Sequence, residues 1–312
     1  MKIWARVLSS FVALCWAGPA LAAEGGTGAY QLGSRGAGSG VTPPPGVYLS
    51  DQVWSYRGDI EGRLPTVGGP IAAQATVNTL VNIPTLLWVT PVEVLGGRLG
   101  MSATVPYGRV WGKGTVGPFP LEDSITTFAD PVVTSFLGWR FGSLHVQLGA
   151  SGYMPWGDYH KGELANISKN RLALDVFTAA SFIDPGTGID VTNVLGITFN
   201  SENTATNYKT GNEIHWEWSV TKKWQTGISV GAIGYVYNQL TDDSGTGALL
   251  GGYRGRMAAV GGTVGYDFLE GKLPVSTRLR YYHEVEAKNR LKGDAGFLSV
   301  TFPIWVDTAT PR

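Results

Sequence analysis

The sequence predicts an all-β fold, a transmembrane antiparallel up-and-down β-barrel of about 12 strands. Three observations carry that expectation. Apolar and polar residues alternate at period two along most of the chain. No apolar run beyond the N-terminal region is long enough to cross lipid as a helix. Short connectors also alternate with long ones. A membrane chain without spanning helices must satisfy its backbone N–H and C=O groups between strands, and only a closed sheet leaves no unpaired edge in hydrocarbon.

The composition agrees. Charged residues make up 15% of the 312 residues, aromatic residues 11%, and there are 44 glycines; so few charges do not suit a surface that faces water all round. Lys+Arg and Asp+Glu balance at 24 each, so no net field draws nucleic acid, acidic substrates or an anionic membrane surface, and no nucleic-acid partner is expected.

The N-terminus reads as a secretory signal peptide over residues 1–22: Lys2 and Arg6 form a basic start, Val7 to Trp16 an apolar stretch, and Ala20-Leu21-Ala22 a small-x-small cleavage site. Export to the cell outer membrane is the expected destination. Cys15, the one cysteine, lies in that segment, with Leu14 before it where a lipoprotein would carry a small residue. The mature chain then has no disulfide and no thiol chemistry. Residues 23–46 form a Gly/Pro-rich leader (Gly36-Ala37-Gly38-Ser39-Gly40, then Pro43-Pro44-Pro45-Gly46) that buries little apolar surface. It is expected to be mobile unless the barrel holds it, in the periplasm or in the lumen. The barrel is expected over residues 47–305, with a polar tail over 306–312.

Within the barrel region Ile214, Trp216, Trp218 and Val220 oppose Glu213, His215, Glu217 and Ser219. Leu144, Val146, Leu148 and Ala150 oppose His145, Gln147, Gly149 and Ser151; Leu172, Leu174 and Val176 oppose Arg171, Ala173 and Asp175; Leu99, Met101, Ala103 and Val105 oppose Arg98, Gly100, Ser102 and Thr104. A soluble sandwich also alternates, so the connectors decide. Short links near Pro91–Gly96, Arg140–Gly142, Asp184–Gly188, Lys222–Gln225 and Leu269–Lys272 alternate with long ones near Gly58–Gly69, Gly112–Ala129, Gly157–Asn170, Asn200–Gly211, Thr241–Gly252 and Val285–Asp294. The short links read as periplasmic turns and the long ones as surface loops. Trp88, Tyr107, Trp111, Tyr153, Trp156, Trp224, Tyr235, Tyr237, Tyr281, Tyr282 and Trp305 suit two interfacial girdles.

Several motifs stand in order along the chain: Pro44-Pro45-Gly46-Val47-Tyr48, Thr90-Pro91, Pro155-Trp156-Gly157-Asp158-Tyr159, Phe199-Asn200, Tyr208-Lys209-Thr210-Gly211-Asn212-Glu213, Gln239-Leu240-Thr241-Asp242-Asp243-Ser244-Gly245 and Asn289-Arg290-Leu291-Lys292-Gly293-Asp294. In these the chain resembles the outer-membrane β-barrel family of the "MetA-pathway of phenol degradation", over nearly the whole mature sequence. The resemblance implies a transporter connected with the catabolism of aromatic compounds that helps them cross the outer membrane. One departure is the C-terminus, where Trp305 is followed by the polar tail Val306 to Arg312 rather than closing the chain with an aromatic residue.

Catalytic and metal chemistry find little support. Asp242-Asp243-Ser244-Gly245 has the Asp-Ser-Gly order of some hydrolases, but Gly, Ser and Asp are what surface turns select. His145, His160, His215 and His283 show no metal spacing, and Asp158, Asp242, Asp243 and Asp294 no calcium-loop spacing, so no metal and no cofactor is expected. The informative set is the inward parity. Arg98, Arg171, Asp175, Glu213, His215, Glu217, Arg278, Arg280 and Glu284 place charges of both signs inside, where they either line a wet pore or pair across the lumen and plug it. Tyr48, Trp54, Tyr56, Phe177, Tyr235 and Tyr237, if inward, give aromatic walls. These fifteen residues are the candidate lumen lining. The expected function is passive uptake of small hydrophobic or aromatic compounds by a barrel that contacts outer-membrane lipid and lipopolysaccharide and is not an enzyme. The alternatives are an outer-membrane hydrolase of lipase or protease type and a structural barrel with a closed lumen. The oligomeric state stays open.

Overall fold

The computed structural model describes residues 24–64, 71–163, 165–248 and 251–307. The expected signal peptide and the end of the C-terminal tail lie outside them. In chain order the strands are β1 (Gly46–Leu64), β2 (Ile71–Asn82), β3 (Thr85–Val94), β4 (Gly97–Thr104), β5 (Tyr107–Val116), β6 (Phe119–Phe128), β7 (Val132–Phe141), β8 (Leu144–Tyr153) and β9 (Ala173–Asp184). Then follow β10 (Ile189–Asn200), the short pair β11 (Glu202–Asn203) and β12 (Tyr208–Lys209), β13 (Glu213–Lys223), β14 (Ile228–Gln239), β15 (Arg256–Glu270), β16 (Leu273–Lys288) and β17 (Lys292–Val306). β17 pairs with β1 and shuts the sheet, so no long edge is left along the seam. β2 with β3, β4 with β5, and β6 with β7 are each one wall stave broken in the middle, and counted so the barrel is a closed antiparallel wall of 12 strands.

The breaks have one chemical cause. Pro84, Pro106 and Pro131 lie in the gaps of three neighbouring staves, and Pro155 follows the end of the next. Proline has no N–H to give the ladder, so each stave loses a bond there. The proline carbonyls still accept from the next stave: Val105 N to Pro84 O at 3.3 Å, Ala129 N to Pro106 O at 2.9 Å and Met154 N to Pro131 O at 2.9 Å. The breaks therefore form one continuous row across the wall.

Below this row, toward the tight turns, outward positions are apolar: Leu86, Trp88, Met101, Val133, Leu148, Leu174, Val176, Leu195, Trp216 and Val220 are all exposed. β7 and β8 have 10 residues each and β9 has 12, the length that takes a tilted strand across the hydrocarbon. Above the row the polarity reverses. On the paired β1, β2, β5 and β6 the outward residues include Arg57, Asp59, Glu61, Gln74, Asn78, Arg109, Lys113 and Glu122 beside Leu80 and Trp111, while Trp54, Tyr56, Ile60, Ala75, Val77, Val81, Val110 and Leu121 share the inward face with Asp123. This part of the wall stands clear of lipid, with water outside and an apolar surface inside.

These extensions correct three expected loops. Gly58–Gly69 is strand at least to Leu64, and Gly112–Ala129 is a hairpin of β5 and β6 with only Gly117-Pro118 between them. Val285–Asp294 likewise narrows to a three-residue turn between β16 and β17. Their charged outward positions look like loop sequence because they face water rather than lipid, and their strand glycines lie on the inward parity. The girdle is corrected too: Tyr153, Tyr235, Tyr237 and Tyr282 point inward, and the last three are buried.

The polarity reversal is open to a direct test. Leu195→Arg, in the lipid-facing band, is expected to cost about 2–4 kcal/mol, whereas Gln74→Arg on the outward face above the proline row should stay within about 0.5 kcal/mol. Urea unfolding of the refolded protein, followed by its heat-modifiable gel mobility, measures both.

Candidate functional site

The leader is not free. From Glu24 at the loop end to Pro45 at the turn end it runs through the barrel. Glu24 accepts from Asn203 Nδ2 at 2.8 Å and Thr206 Oγ1 at 2.6 Å, and Asp307 N donates to Pro45 O at 2.8 Å. Low-complexity sequence cannot supply its own core, so the wall supplies one. Gly33 is the centre of this attachment. Its N–H donates to Glu217 Oε1 at 2.9 Å, and its carbonyl accepts from Arg280 Nη1 at 2.9 Å and Tyr282 OH at 3.3 Å. Its φ of +79° and a Cβ position 2.8 Å from the Tyr282 ring leave room for glycine alone. Around it Arg35 N donates to Glu217 Oε2 at 3.1 Å, and the Arg35 guanidinium lies 3.7 Å above the Phe177 ring. The Tyr30 ring stacks on His215 at 3.6 Å. Lower down Gly40 N donates to Ser181 Oγ at 2.9 Å.

The charged residues expected inside are inside, and most are consumed by contacts. His215 Nε2 and Asp175 Oδ1 are 2.9 Å apart, and Thr198 Oγ1 donates to the same carboxylate at 2.8 Å. Glu213 accepts from Tyr237 OH at 2.5 Å and Asn200 Nδ2 at 3.2 Å. Glu284 accepts from Tyr56 OH and Tyr235 OH, both at 2.9 Å, and from Gly293 N at 2.6 Å. Arg280 also reaches Ser34 O at 2.7 Å and Gln52 Oε1 at 2.8 Å. Arg171 Nε donates to Asn200 Oδ1 at 3.1 Å. Arg278 pairs with Asp267 at 2.5 Å, and Arg98 with Glu93 at 3.2 Å, both near the turn end. Tyr48 is buried at the foot of β1, where its hydroxyl donates to Pro44 O at 2.8 Å.

The plug fills only one side. Opposite it, a cavity of about 1390 Å³ runs between the leader and the apolar inner face of β1, β2 and β5, with Trp54, Ile60, Val77, Val81 and Val110 in its wall. Trp54, Tyr56 and Phe297 form an aromatic row beside it. Its loop end is bordered by the connector of residues 154–172, which closes over the outer edge of β6: Asp158 N donates to Phe128 O at 3.0 Å and Ala165 N to Asp123 Oδ2 at 2.9 Å. Asp130 ties the connector down, accepting from Gly157 N at 3.0 Å, Ser168 Oγ at 2.6 Å and Lys169 N at 2.7 Å. Burial, and after it the neighbouring Arg171 guanidinium, push the Lys169 ammonium down to about 8 against the pull of Asp130.

Reasoning from residues alone did not pick out Ile60, Val77, Val81, Val110, Asp130 or Lys169. The available signal was the recurrence of proline at 84, 106, 131 and 155, which marks where strand polarity changes meaning. The Asp242-Asp243-Ser244-Gly245 run sits in the connector between β14 and β15. Asp243 is buried, accepting from Gln239 Nε2 at 2.6 Å and Gly211 N at 2.9 Å, and Ser244 pairs with Lys209 through backbone bonds in both directions. Among the described residues no three His, Cys, Asp or Glu side chains gather as a metal site would need.

A closed, plugged wall with an apolar lipid-facing band has the fold of the outer-membrane channel barrels. Residues 62–300, more than half of the chain, match the family described as "Putative MetA-pathway of phenol degradation", and the protein belongs to that family. The crystal structure of the COG4313 outer membrane channel from Pseudomonas putida F1 is similar with a TM-score of 0.69 at 15% identity, covering 84% of this chain and 96% of that one. The transport unit of the autotransporter AIDA-I from Escherichia coli gives a TM-score of 0.49 at 9% identity over 88% of this chain and 92% of its own. A Pseudomonas aeruginosa FadL homologue gives 0.36 at 10% over 82% and 89%. No curated protein matches the chain in sequence.

Gly33→Ala should unseat the leader while the barrel still closes. Limited proteolysis of folded protein is expected to trim the leader, and the mean conductance in planar bilayers to rise. Gly36→Ala, whose added Cβ would lie 3.4 Å from Arg280, is expected to behave as wild type.

Proposed function

We propose that the protein sits in the cell outer membrane, loop end outward, as a channel for the passive uptake of small hydrophobic or aromatic compounds. One observation carries this reading: above the proline row the wall is polar outside and apolar inside, the reverse of the lipid-crossing part. Such a surface lowers the free energy of an apolar solute that leaves water, by roughly 25 cal/mol for each Å² buried. The cavity has the size of a small-molecule site and an aromatic flank for stacking. The solute enters between the loops, settles against Trp54, Val77 and Val110, and meets the plug below.

The way onward is sideways or past the leader. β6 pairs with β5 alone, and its other edge is bridged by a connector rather than by a strand. The wall is therefore easiest to open beside the proline row, toward lipid. No bond is made or broken. A lumen filled by leader and paired charges also favours a second reading, a structural barrel that conducts nothing.

Val77→Trp, which fills the cavity from the wall, is expected to lower uptake of a radiolabelled aromatic hydrocarbon by about fivefold, relative to a deletion strain complemented with wild type. Equal uptake by deletion and complemented strains at limiting concentration would remove the transport reading and leave the structural one.

A further inference from the structure

The cavity is amphipathic along its length. Its wall on β1, β2 and β5 is apolar, whereas charged side chains border its loop end: Lys161, Lys169 and Arg171 from the connector between β8 and β9 and Arg290 from the turn between β16 and β17, among the carboxylates Glu24, Glu122, Asp123, Asp130 and Glu163. Thr27 accepts a hydrogen bond from Lys169 Nζ and Gly28 lies against the Glu213 carboxylate, so the first residues of the plug border the same end.

These guanidinium groups are under-used. Arg171 is 1% exposed, yet neither its Nη1 nor its Nη2 has a hydrogen-bond partner among the described residues. Arg290 is 6% exposed and lies 3.9 Å from the Tyr237 ring, with Nε and Nη1 likewise unpartnered. Glu213 Oε1 stands 4.0 Å from Arg290 Nη1, outside hydrogen-bond reach. A guanidinium does not shed its proton to escape this cost. The neighbouring carboxylates are meanwhile committed to neutral donors: Glu213 to Tyr237 and Asn200, Glu24 to Asn203 and Thr206, Asp130 to Gly157, Ser168 and the Lys169 backbone. Forked N–H donors without an internal acceptor, beside an apolar cavity, suit a carboxylate carried on an apolar body.

We propose that the cavity binds amphipathic monoanions, a carboxylate on a small apolar or aromatic body. The carboxylate is set against Arg171, Arg290 and Lys169, and the body against the wall of Trp54, Val77 and Val110. The proposal rests on the channel reading and narrows it, because a neutral hydrocarbon leaves the cationic end unused.

The test compares 4-butylbenzoate with its neutral counterpart 4-butylbenzyl alcohol, by calorimetry on the full protein in phosphatidylcholine nanodiscs with empty discs subtracted. The acid is expected to bind at least about tenfold more tightly, the scale of one charge-assisted contact. Arg171→Gln should bring the acid to the affinity of the alcohol, with the alcohol itself unchanged. Because Arg171 is buried and its variant can fail to fold, Lys169→Gln in the connector serves as a second probe, expected to cost the acid about threefold. In wild type the acid should also lose affinity as the pH rises past about 8, where Lys169, facing Arg171, Arg290, Asp130 and Glu24, gives up its proton. Equal binding of acid and alcohol would overturn the anion site and leave the apolar cavity standing; binding of neither would overturn both.

Discussion

Everything in this barrel follows from the need of each backbone N–H and C=O in hydrocarbon to find a partner on a neighbouring strand. The β1–β17 pairing meets that need at the seam. Once the sheet is shut, one side of every stave faces lipid and the other faces inward, and the period-two pattern acquires its meaning. The same requirement limits where prolines can stand. Pro84, Pro106 and Pro131 each withhold a donor, and they occur where the wall passes from its apolar outer band to the polar outward face above it. At that height water can satisfy what the ladder leaves open.

Inside, the constraint changes from backbone to charge. Buried carboxylates and guanidinium groups are costly unless paired or hydrogen-bonded. Here much of the pairing is supplied by the leader's own backbone, through the Gly33 and Arg35 amides on Glu217 and the Gly33 and Ser34 carbonyls on Arg280. Gly-rich sequence presents its peptide groups without side-chain obstruction, which explains how a segment with little apolar surface can be a firm insert. The space left over lies against the apolar inner face of β1, β2 and β5.

The fold class and the strand number were legible from alternation taken together with connector lengths, and the inward parity of residues such as Asp175, Glu213, His215 and Glu217 from alternation, because a lipid-facing strand writes its two faces in residue type. The upper wall was not legible in the same way. Arg57, Asp59, Glu61, Lys113 and Glu122 read as loop because the rule that outward means apolar holds only within lipid, and no local pattern says where lipid stops. The pairing of the inner charges was open as well: Glu217 meets peptide groups some 180 positions away, and periodicity carries no information on such contacts. The leader's place was unreadable for the same reason.

The leader joins β1 at the turn end, while Glu24 lies among the loops at the opposite end. Its attachment points are spread over β8, β9, β10, β13 and β16. The Gly33 seat draws on β13 and β16 together and is not complete on either alone. Assembly must therefore bring β13 and β16 round toward each other before Gly33 has both its partners, so that this stretch of the leader becomes ordered as the wall curves rather than before it.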